Sequence, residues 1–470
     1  MSTAPHVVVV GGGLAGMAAG LACADGGARV TLLEKRAHLG GLTWSFSHDG
    51  LTMDNGQHVF LRCCTAYRGF LDRVGSAGDV ELQERLEVTV LRRGRRATLR
   101  RDRLPAPLHL GRSLLTYGLV PLAERARLGV AAAALARVDL DDPALDSETF
   151  EHWLRRHHQG PSAIAHLWDL ICLATVNLPA SEASLAMGAK VFQTGLLTDS
   201  AAGDIGWSRL PLGRLHGERG RAALEQAGAS VRTGEGVQQV APLGPVDGPP
   251  TAGSPRYVVR TGRGEVEADA VVVALPHYCV EEVLPPGALQ ADPARLGSSP
   301  ILNVHVHFDR KVTDLPLAAG DGLAQWVFDR TASSGAERGQ YLVVSVSGAD
   351  EHIGRRPEDL GRDALSALRA MFPASAGAGV LSTFVTREHH ATFRAAPGSA
   401  KMRAPARSPL RGLALAGAWT ATGWPPTMEG AVRSGVAAAR AALAATRTAG
   451  PGLGPELSVS AGPLRFQEVE

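Results

Sequence analysis

Two kinds of apolar pattern occur along the chain, and they predict two kinds of sheet. Continuous apolar runs, which are typical of strands buried on both faces of a parallel sheet, occur at 7–10 (VVVV) and 413–416, and 28–34 (ARVTLLE) is predicted as a second strand beside the first. Other segments alternate with a period of about two, as half-exposed antiparallel strands do; these are 301–308, 341–347 and 380–386. The sequence therefore predicts a parallel sheet and a second, antiparallel sheet.

Helices and turns are predicted between these strands. An alanine-rich stretch over Leu14–Asp25 separates the first two strands, which predicts a βαβ unit. The segment 86–101 predicts a hairpin, and the leucine-rich segment 104–140, interrupted by prolines and charges, predicts broken helices. Further helices are predicted at 147–156, 166–173 and 430–445, and one apolar strand is predicted at 265–275.

Strands of the parallel type come from three separated parts of the chain, so the two predicted domains are interleaved. We predict an α/β fold in which a Rossmann-like nucleotide-binding domain (1–75, 205–285 and 405–448) is joined to a mixed α+β substrate domain (76–204 and 286–404). The Gly- and Pro-containing tail 449–470 is expected to be disordered.

Charge and cysteine content exclude several classes of protein. The net charge of +2 over 470 residues does not favour nucleic-acid binding. The five cysteines show no metal-ligand spacing, which indicates a cytoplasmic protein with reduced thiols and no metal site. Segment 7–24 is uncharged but rich in glycine, so we predict a strand, turn and helix there, with no signal peptide and no transmembrane helix.

The first turn carries a dinucleotide-binding motif. Gly11, Gly13 and Gly16 form G-x-G-x-x-G between a strand and a helix, which is the context that the motif requires. The first glycine permits the turn, the second allows a diphosphate to approach, and the third lets helix and strand pack closely. Glu34 ends the second strand, where a carboxylate can accept hydrogen bonds from ribose hydroxyls.

Two further features favour FAD over NAD. Gly40-Gly41 follows Glu34 closely, where flavoproteins of the amine-oxidase and carotenoid-desaturase type have a second turn against the diphosphate. Near the C-terminus a strand ends at Gly417, and the loop after it opens a helix at Thr427-Met428. The N-terminus of that helix can stabilise negative charge on a flavin ring.

The chain resembles the hydroxysqualene dehydroxylases, also described as squalene-associated FAD-dependent desaturases, of the phytoene-desaturase/amine-oxidase superfamily. The resemblance is carried by four segments: VVVVGGGLAGMAAG, VTLLEKRAHLGGLTWSF, DNGQHVFLRCCTAY and LALAGAWTATGWPPTMEGAVRSG. It implies a Rossmann-like FAD-binding domain of that superfamily type. It also implies a set of FAD contacts: Gly11, Gly13, Leu14, Ala15, Gly16, Glu34, Lys35, Gly41, Leu42, Val237, Gly417, Thr427 and Met428. The superfamily usually has arginine at the position of Leu42, so one diphosphate contact must come from elsewhere.

The chemistry that the resemblance implies is reductive dehydroxylation of hydroxysqualene to squalene, a step of squalene and hopanoid biosynthesis. The reaction needs a proton donor for the leaving hydroxyl, a hydride from the flavin and a dry apolar slot. Candidate donors are His58, Asp54 and Glu429, and Trp419 and Trp424 are expected to line the slot. The sequence does not identify the electron donor that reduces the flavin.

Other functions stay open at this point. A carotenoid-type desaturase or isomerase uses the same fold and transfers hydride toward the flavin. A non-enzymatic isoprenoid carrier of the same fold is a second alternative, and the intact glycine motif with Glu34 argues against it. Amine oxidation is a third, but no pair of aromatic residues can be assigned to the cage it needs.

A water-insoluble C30 substrate resides in the bilayer, so we expect peripheral binding to an anionic membrane on its cytoplasmic face. Seven arginines form a predicted basic patch: Arg92, Arg93, Arg95, Arg96, Arg100, Arg101 and Arg103. The following segment, 104–120, has few charges and is expected to enter the interface.

Overall fold

The chain forms twenty strands within residues 4–92, 94–244 and 255–446, which this computed structural model describes. The strands are β1 His6–Val10, β2 Arg29–Glu34, β3 Ser45–His48, β4 Leu51–Asp54, β5 Val59–Leu61, β6 Val80–Leu82, β7 Glu87–Arg92, β8 Arg95–Arg100, β9 Ile205–Ser208, β10 Ser230–Thr233, β11 Val237–Pro242, β12 Tyr257–Thr261, β13 Gly264–Ala268, β14 Ala270–Val273, β15 Ser298–Phe308, β16 Leu317–Ala319, β17 Trp326–Asp329, β18 Gln340–Ser347, β19 Val380–Phe393 and β20 Leu413–Leu415.

Twelve α-helices lie in the same part of the chain. They are α1 Leu14–Asp25, α2 Thr65–Arg73, α3 Gly111–Thr116, α4 Leu122–Leu135, α5 Phe150–Arg156, α6 Pro161–Ala163, α7 Asp169–Val176, α8 Leu185–Phe192, α9 Arg219–Gln226, α10 Thr331–Ser334, α11 Pro357–Met371 and α12 Met428–Thr446. The helix predicted at 147–156 begins only at Phe150, because Thr149 accepts a hydrogen bond from the His152 amide and caps it.

A five-stranded parallel sheet, in the order β10–β2–β1–β14–β20, forms the first layer of the fold. Its central strand β1 is buried on both sides, since Val7 and Val9 pack into one apolar cluster while Val8 and Val10 pack into another. This explains the unbroken run of four valines. The α/β fold of the superfamily type is therefore confirmed, and all five strands come from the segments 1–75, 205–285 and 405–448.

A seven-stranded sheet, in the order β19–β15–β18–β17–β16–β7–β8, forms the second layer. On β15, Leu302, Val304 and Val306 belong to an apolar cluster that includes side chains of α11. The opposite face of β15 carries Asn303 and His305, which are also buried. The prediction of a half-exposed strand is therefore wrong for β15, because its polar face packs against the residues after β4 rather than against water.

The single strand predicted at 265–275 is also wrong, because two strands occupy this segment. β13 pairs with β12 in a three-stranded antiparallel sheet, whereas β14 pairs with β1 in the parallel sheet. Asp269 lies between them, and its carboxylate accepts a hydrogen bond from the His6 amide at 2.7 Å. The chain changes sheets at this residue, and an apolar pattern that continues through the junction conceals the change.

Helices α3 to α8 pack beside the second sheet and belong with it to one apolar core. None of the helices in the described residues has both the length and the apolar character needed to cross a membrane. The predicted disorder of 449–470 and the contribution of Arg93 to the basic patch concern positions outside the described residues.

Candidate flavin site and substrate cavity

The turn after β1 leads into α1 with its helix N-terminus open. Helix α1 begins at Leu14; its N-cap is Gly13, no side chain caps it, and its first turn has no acidic residue. The free amide groups and the helix dipole at this end favour an anionic ligand. The amides of Leu14, Ala15 and Gly16 are therefore available to a diphosphate, as the sequence predicts.

The glycines of this turn have different physical roles. A Cβ atom on Gly16 would lie 1.8 Å from the Gly11 carbonyl oxygen, so Gly16 is required for the close packing of helix against turn. A Cβ atom on Gly13 would meet only the Gly41 Cα, at 3.8 Å. The space before Gly13 is thus open, which fits a diphosphate that approaches the backbone there.

The second glycine turn packs directly on the first. The Gly40 amide donates a hydrogen bond to the Gly12 carbonyl at 2.9 Å. Gly41 has a φ of +58°, and a Cβ atom on it would lie 2.9 Å from the Gly13 Cα. Residues with a side chain rarely adopt that backbone conformation, so glycine lets the two turns line one crevice.

The residues predicted for the adenosine end lie together beside Glu34. The Glu34 carboxylate accepts hydrogen bonds from the amides of Gly12 and Arg36, each at 2.7 Å. Its remaining lone pairs can accept from ribose hydroxyls. The Glu235 amide donates to the Glu34 carbonyl at 2.9 Å, which brings Val237, the first residue of β11, close to Lys35.

The C-terminal segment reaches the same crevice through helix packing. The Gly417 amide donates to the Ser434 hydroxyl at 2.8 Å, which ties the loop after β20 to α12. A Cβ atom on Gly435 would lie 2.2 Å from the Ala15 carbonyl oxygen, so α12 crosses α1 in close contact. Thr427 and Met428, at the start of α12, therefore lie on the same side of the fold as the glycine turns.

Of the five buried side-chain polar atoms that have no hydrogen-bond partner within the described residues, two lie beside the turn after β4. They are Gln57 Nε2, a donor, and Asn303 Oδ1, an acceptor. Asn303 Nδ2 donates to the Asn55 carbonyl at 3.3 Å, so the two side chains flank one short turn. A flavin offers a ring N–H group to an acceptor such as Asn303 Oδ1, and a buried polar group without a partner is costly. The residues present thus fit FAD.

An apolar cavity begins at this turn and extends among the helices of the second layer. Its wall includes Gln57, Trp424, Thr427, Met428 and Glu429, so part of the predicted flavin-contacting loop faces it. Its apolar lining includes Leu86, Leu99, Leu110, Leu114, Leu128, Leu167, Leu170, Ile171, Phe192, Ile301, Trp326 and Phe328. Such a lining with few polar groups is typical of a site for a large apolar ligand.

Asp54 has a structural environment and does not line this cavity. Its carboxylate accepts hydrogen bonds from the Ser45 hydroxyl at 2.6 Å and the Leu212 amide at 2.9 Å. It also forms a buried ion pair with Arg330 at 2.9 Å. These contacts join β4, the segment after β9 and α10, which argues against a proton-donor role for Asp54.

His58 lies beside the cavity without lining it. Burial lowers the pKa of His58, and the nearby Asp54 carboxylate and a hydrogen bond to the Leu42 backbone offset this only in part. The imidazole is therefore neutral at neutral pH, and a neutral imidazole is a poor acid for a leaving hydroxyl. Its contact with Leu42 places both residues at the second glycine turn.

Glu429 does line the cavity, but its carboxylate is fully engaged. It accepts hydrogen bonds from the amides of Ala66 and Tyr67 at 3.2 and 2.7 Å, at the N-terminus of α2. It also pairs with Arg433 at 2.6 Å. Glu429 is thus a buried helix cap that joins α2 to α12, and its carboxylate oxygens are occupied by these contacts rather than directed at a substrate.

The two tryptophans of the C-terminal loop have different environments. Trp424 lines the cavity, as predicted. The prediction that Trp419 lines it is wrong, because the Trp419 indole lies in the apolar core and donates to the Leu275 carbonyl at 2.9 Å. A buried indole N–H needs such an acceptor, and β14 ends where the carbonyl is available.

Three relevant residues were not selected from the sequence. Gln57 belongs to the DNGQHV segment, but only its missing partner reveals its role. Lys190, on α8, extends into the cavity wall, and a lysine inside an apolar helical stretch (LAMGAKVF) is the signal that could have found it. Arg36 donates to the Gly41 carbonyl at 3.1 Å, so a cation lies at the turn where Leu42 replaces the usual arginine.

Comparison with known proteins shows the family and the fold. The model of the flavin containing amine oxidoreductase family matches residues 14–443. The chain is 27% identical to the hydroxysqualene dehydroxylase of Rhodopseudomonas palustris, over 95% of this chain and 100% of that protein. It is 25% identical to the zeta-carotene desaturase of Synechocystis sp., over 93% of this chain and 97% of that one. The structure of cyclohexylamine oxidase from Brevibacterium oxydans superposes with a TM-score of 0.68 at 18% identity, covering 94% and 99% of the two chains.

Proposed function

The chain belongs to the flavin-containing amine oxidoreductase family and is an FAD-dependent oxidoreductase, and we propose that it reductively converts hydroxysqualene to squalene. Relatives that carry out dehydroxylation and relatives that desaturate carotenes are similar to it to about the same degree. The choice between them therefore depends on the cavity.

The observation that carries the proposal is a free hydrogen-bond donor in the wall of an apolar cavity. Gln57 Nε2 is buried there and has no acceptor within the described residues. A carotene has no oxygen to offer, so the donor would stay unsatisfied at a cost of about 1–3 kcal/mol. The hydroxyl oxygen of an isoprenoid alcohol accepts that hydrogen bond. The wall thus favours a substrate that is apolar along its length and polar at one atom.

The roles of the protein follow from the same geometry. FAD, once reduced, supplies the hydride that replaces the hydroxyl group. The glycine turns and Glu34 hold the dinucleotide, and the apolar lining excludes water from an allylic cation that water would otherwise trap. Gln57 orients the carbon–oxygen bond from the cavity wall.

We expect the reduced protein to be reoxidised by hydroxysqualene without oxygen, with one squalene formed per flavin. The measurement is flavin absorbance after anaerobic reduction by dithionite, followed by product extraction. A carotene desaturase would behave in the opposite way: the oxidised flavin would be bleached by phytoene or zeta-carotene, and hydroxysqualene would leave the reduced flavin unchanged. Either result decides between the two functions.

We also propose that the protein binds an anionic membrane through α3, α4 and the segments before them. Five large apolar side chains there are 51–71% exposed: Leu104, Leu108, Leu115, Leu122 and Val130. The opposite sides of α3 and α4 contribute Leu114 and Leu128 to the cavity lining. One helix pair thus joins an apolar surface to the cavity, which suits a substrate that leaves the bilayer directly.

The charges near this surface differ from the predicted basic patch. Arg101 pairs with the buried Asp204 at 2.6 Å, and Arg92 donates to the carbonyls of Gly320 and Ala165, so both side chains are engaged inside the protein. Arg100 pairs with Glu87 at 3.3 Å. The exposed cations of the patch are Arg95, Arg96, Arg100 and Arg103, and the three other than Arg100 support binding to anionic headgroups.

Flotation with vesicles that contain phosphatidylglycerol tests this surface. We expect binding at low salt that weakens as salt rises, because the arginine contribution is screened. The double substitution Leu115→Asp and Leu122→Asp should abolish binding without unfolding, since both side chains are exposed. Leu381→Asp, at an exposed leucine on β19, is the matched control. Absence of binding by the unchanged protein at low salt would refute the proposal.

A further inference from the structure

Lys190 places a positive charge in the wall of the apolar cavity. Its ammonium lies over the Trp424 ring at 5.1 Å from the centroid, and Trp424 also lines the cavity. Within the described residues it has no hydrogen-bond or ion-pair partner. The other three lysines of the chain are Lys35, Lys311 and Lys401, and they do not line this cavity. Lys190 is thus a proton-bearing group without an acceptor, at the end of the cavity formed by the predicted flavin loop.

The surroundings of Lys190 hold the charge in place without neutralising it. Arg433 lies on the Trp424 ring at 4.9 Å and repels the ammonium, but Arg433 is itself paired with Glu429. The Asp141 carboxylate attracts it, and so does the Cys63 sulfur in its thiolate form. Burial, and secondly Arg433, lower the pKa of Lys190, while Cys63 and Asp141 offset this in part. A lowered pKa makes an ammonium a stronger acid.

We propose that Lys190 binds the hydroxyl oxygen of the substrate and donates the proton that makes it leave as water. This inference rests on the proposed dehydroxylation and names its missing acid. The Lys190 N–H bond breaks and an O–H bond forms as the carbon–oxygen bond breaks, with both electrons of that bond leaving in the water molecule. The allylic carbon takes a hydride from the reduced flavin. Lys190 is left as a neutral amine, which solvent reprotonates.

This role explains why a charge is kept among apolar side chains. Lys190 is half-buried, and burying an ammonium without an acceptor carries a desolvation cost. A hydrocarbon substrate would seal the cavity and increase that cost, whereas a hydroxyl group gives the ammonium an acceptor. Lys190 therefore selects for an oxygen-bearing isoprenoid as well as acting on it.

Equilibrium binding to the oxidised holoprotein tests the first part of the proposal without turnover. We expect the unchanged protein to bind hydroxysqualene about tenfold or more tightly than squalene, because a hydrogen bond to a charged group is involved. Lys190→Met should lower this preference, because only the Gln57 donor remains, and Lys190→Arg should retain it. The matched control is Lys401→Met, at an exposed lysine. The proposal is overturned if the unchanged protein and Lys190→Met prefer hydroxysqualene over squalene to the same degree.

Anaerobic reoxidation of the reduced flavin by hydroxysqualene tests the second part. Removal of a general acid slows a reaction by about 10²–10⁴-fold, so Lys190→Met should lose that factor while its FAD content and melting temperature stay unchanged. In the unchanged protein the rate should be full below the pKa of Lys190 and fall above it, and this fall should be absent from Lys190→Met. His58→Gln, measured alongside, should retain the rate within a few-fold.

The binding and reoxidation experiments together distinguish failure of this inference from failure of the proposed function. If hydroxysqualene does not reoxidise the unchanged protein, the dehydroxylation is refuted, and with it the acid role of Lys190. If the unchanged protein turns over and Lys190→Met does so equally fast, only the assignment of Lys190 is wrong. A large loss of rate in His58→Gln alone would assign the proton to the imidazole instead.

Discussion

Replacing Gly13 with alanine is expected to give a folded protein that binds FAD about tenfold to a hundredfold more weakly. Gly13 has φ and ψ of −74° and 179°, which alanine adopts without strain, and its Cβ would be no closer than 3.8 Å to the protein. The added methyl group therefore meets only the diphosphate, and such overpacking costs about 1–3 kcal/mol. Flavin fluorescence quenching during titration of the flavin-free protein measures the loss.

Two further substitutions serve as controls for this experiment. Gly129→Ala lies on the exposed side of α4, where a Cβ meets nothing within 4 Å, so FAD binding should be unchanged. Gly16→Ala should instead lower stability, because its Cβ would lie 1.8 Å from the Gly11 oxygen. If Gly13→Ala binds FAD as tightly as the unchanged protein does, the diphosphate does not approach this turn.

Replacing Arg330 with methionine is expected to lower the free energy of unfolding by about 3–5 kcal/mol, since it leaves Asp54 buried without its partner. Both side chains are almost fully buried, 9% and 5% exposed. Arg330 also donates to the carbonyls of Ser208 and Leu210, at 2.6 and 3.3 Å. Urea denaturation followed by circular dichroism gives the value.

Arg310→Met is the control that separates the effect of burial from the effect of losing an ion pair. Arg310 pairs with Asp309 at 2.8 Å, but its side chain is 61% exposed, and exposed pairs contribute about 0–1 kcal/mol. Asp54→Asn combined with Arg330→Met should recover part of the loss, because the buried charge is then absent. A change below 1 kcal/mol for Arg330→Met alone would show that the pair does not support the fold.

The nucleotide-binding half of the fold was predictable from local sequence. Its central strands β1 and β14 are apolar runs, and its glycines are specified by contacts within a few residues or across one turn, as with Gly16 and Gly11. The change of sheet at Asp269 was not predictable, because an unbroken apolar pattern does not tell which neighbour a strand pairs with.

The substrate side of the site was less predictable, because it depends on contacts between distant segments. Trp419 and Trp424 are five residues apart in one loop, yet one lies in the core and the other in the cavity wall. Glu429 is of a residue type that can act as a catalytic acid, and only its contacts with α2 identify it as a helix cap. Lys190 can be recognised as a residue of the cavity wall only through its contact with Trp424, which lies more than two hundred residues later in the chain.

The contact between α1 and α12 also sets the order of events during synthesis. Gly435 packs on Ala15, and β20 completes the edge of the parallel sheet beside β14. The cofactor pocket therefore cannot form completely until almost the whole chain has left the ribosome. Chains released early would carry the whole glycine motif and still lack a closed pocket, and they would be substrates for proteases.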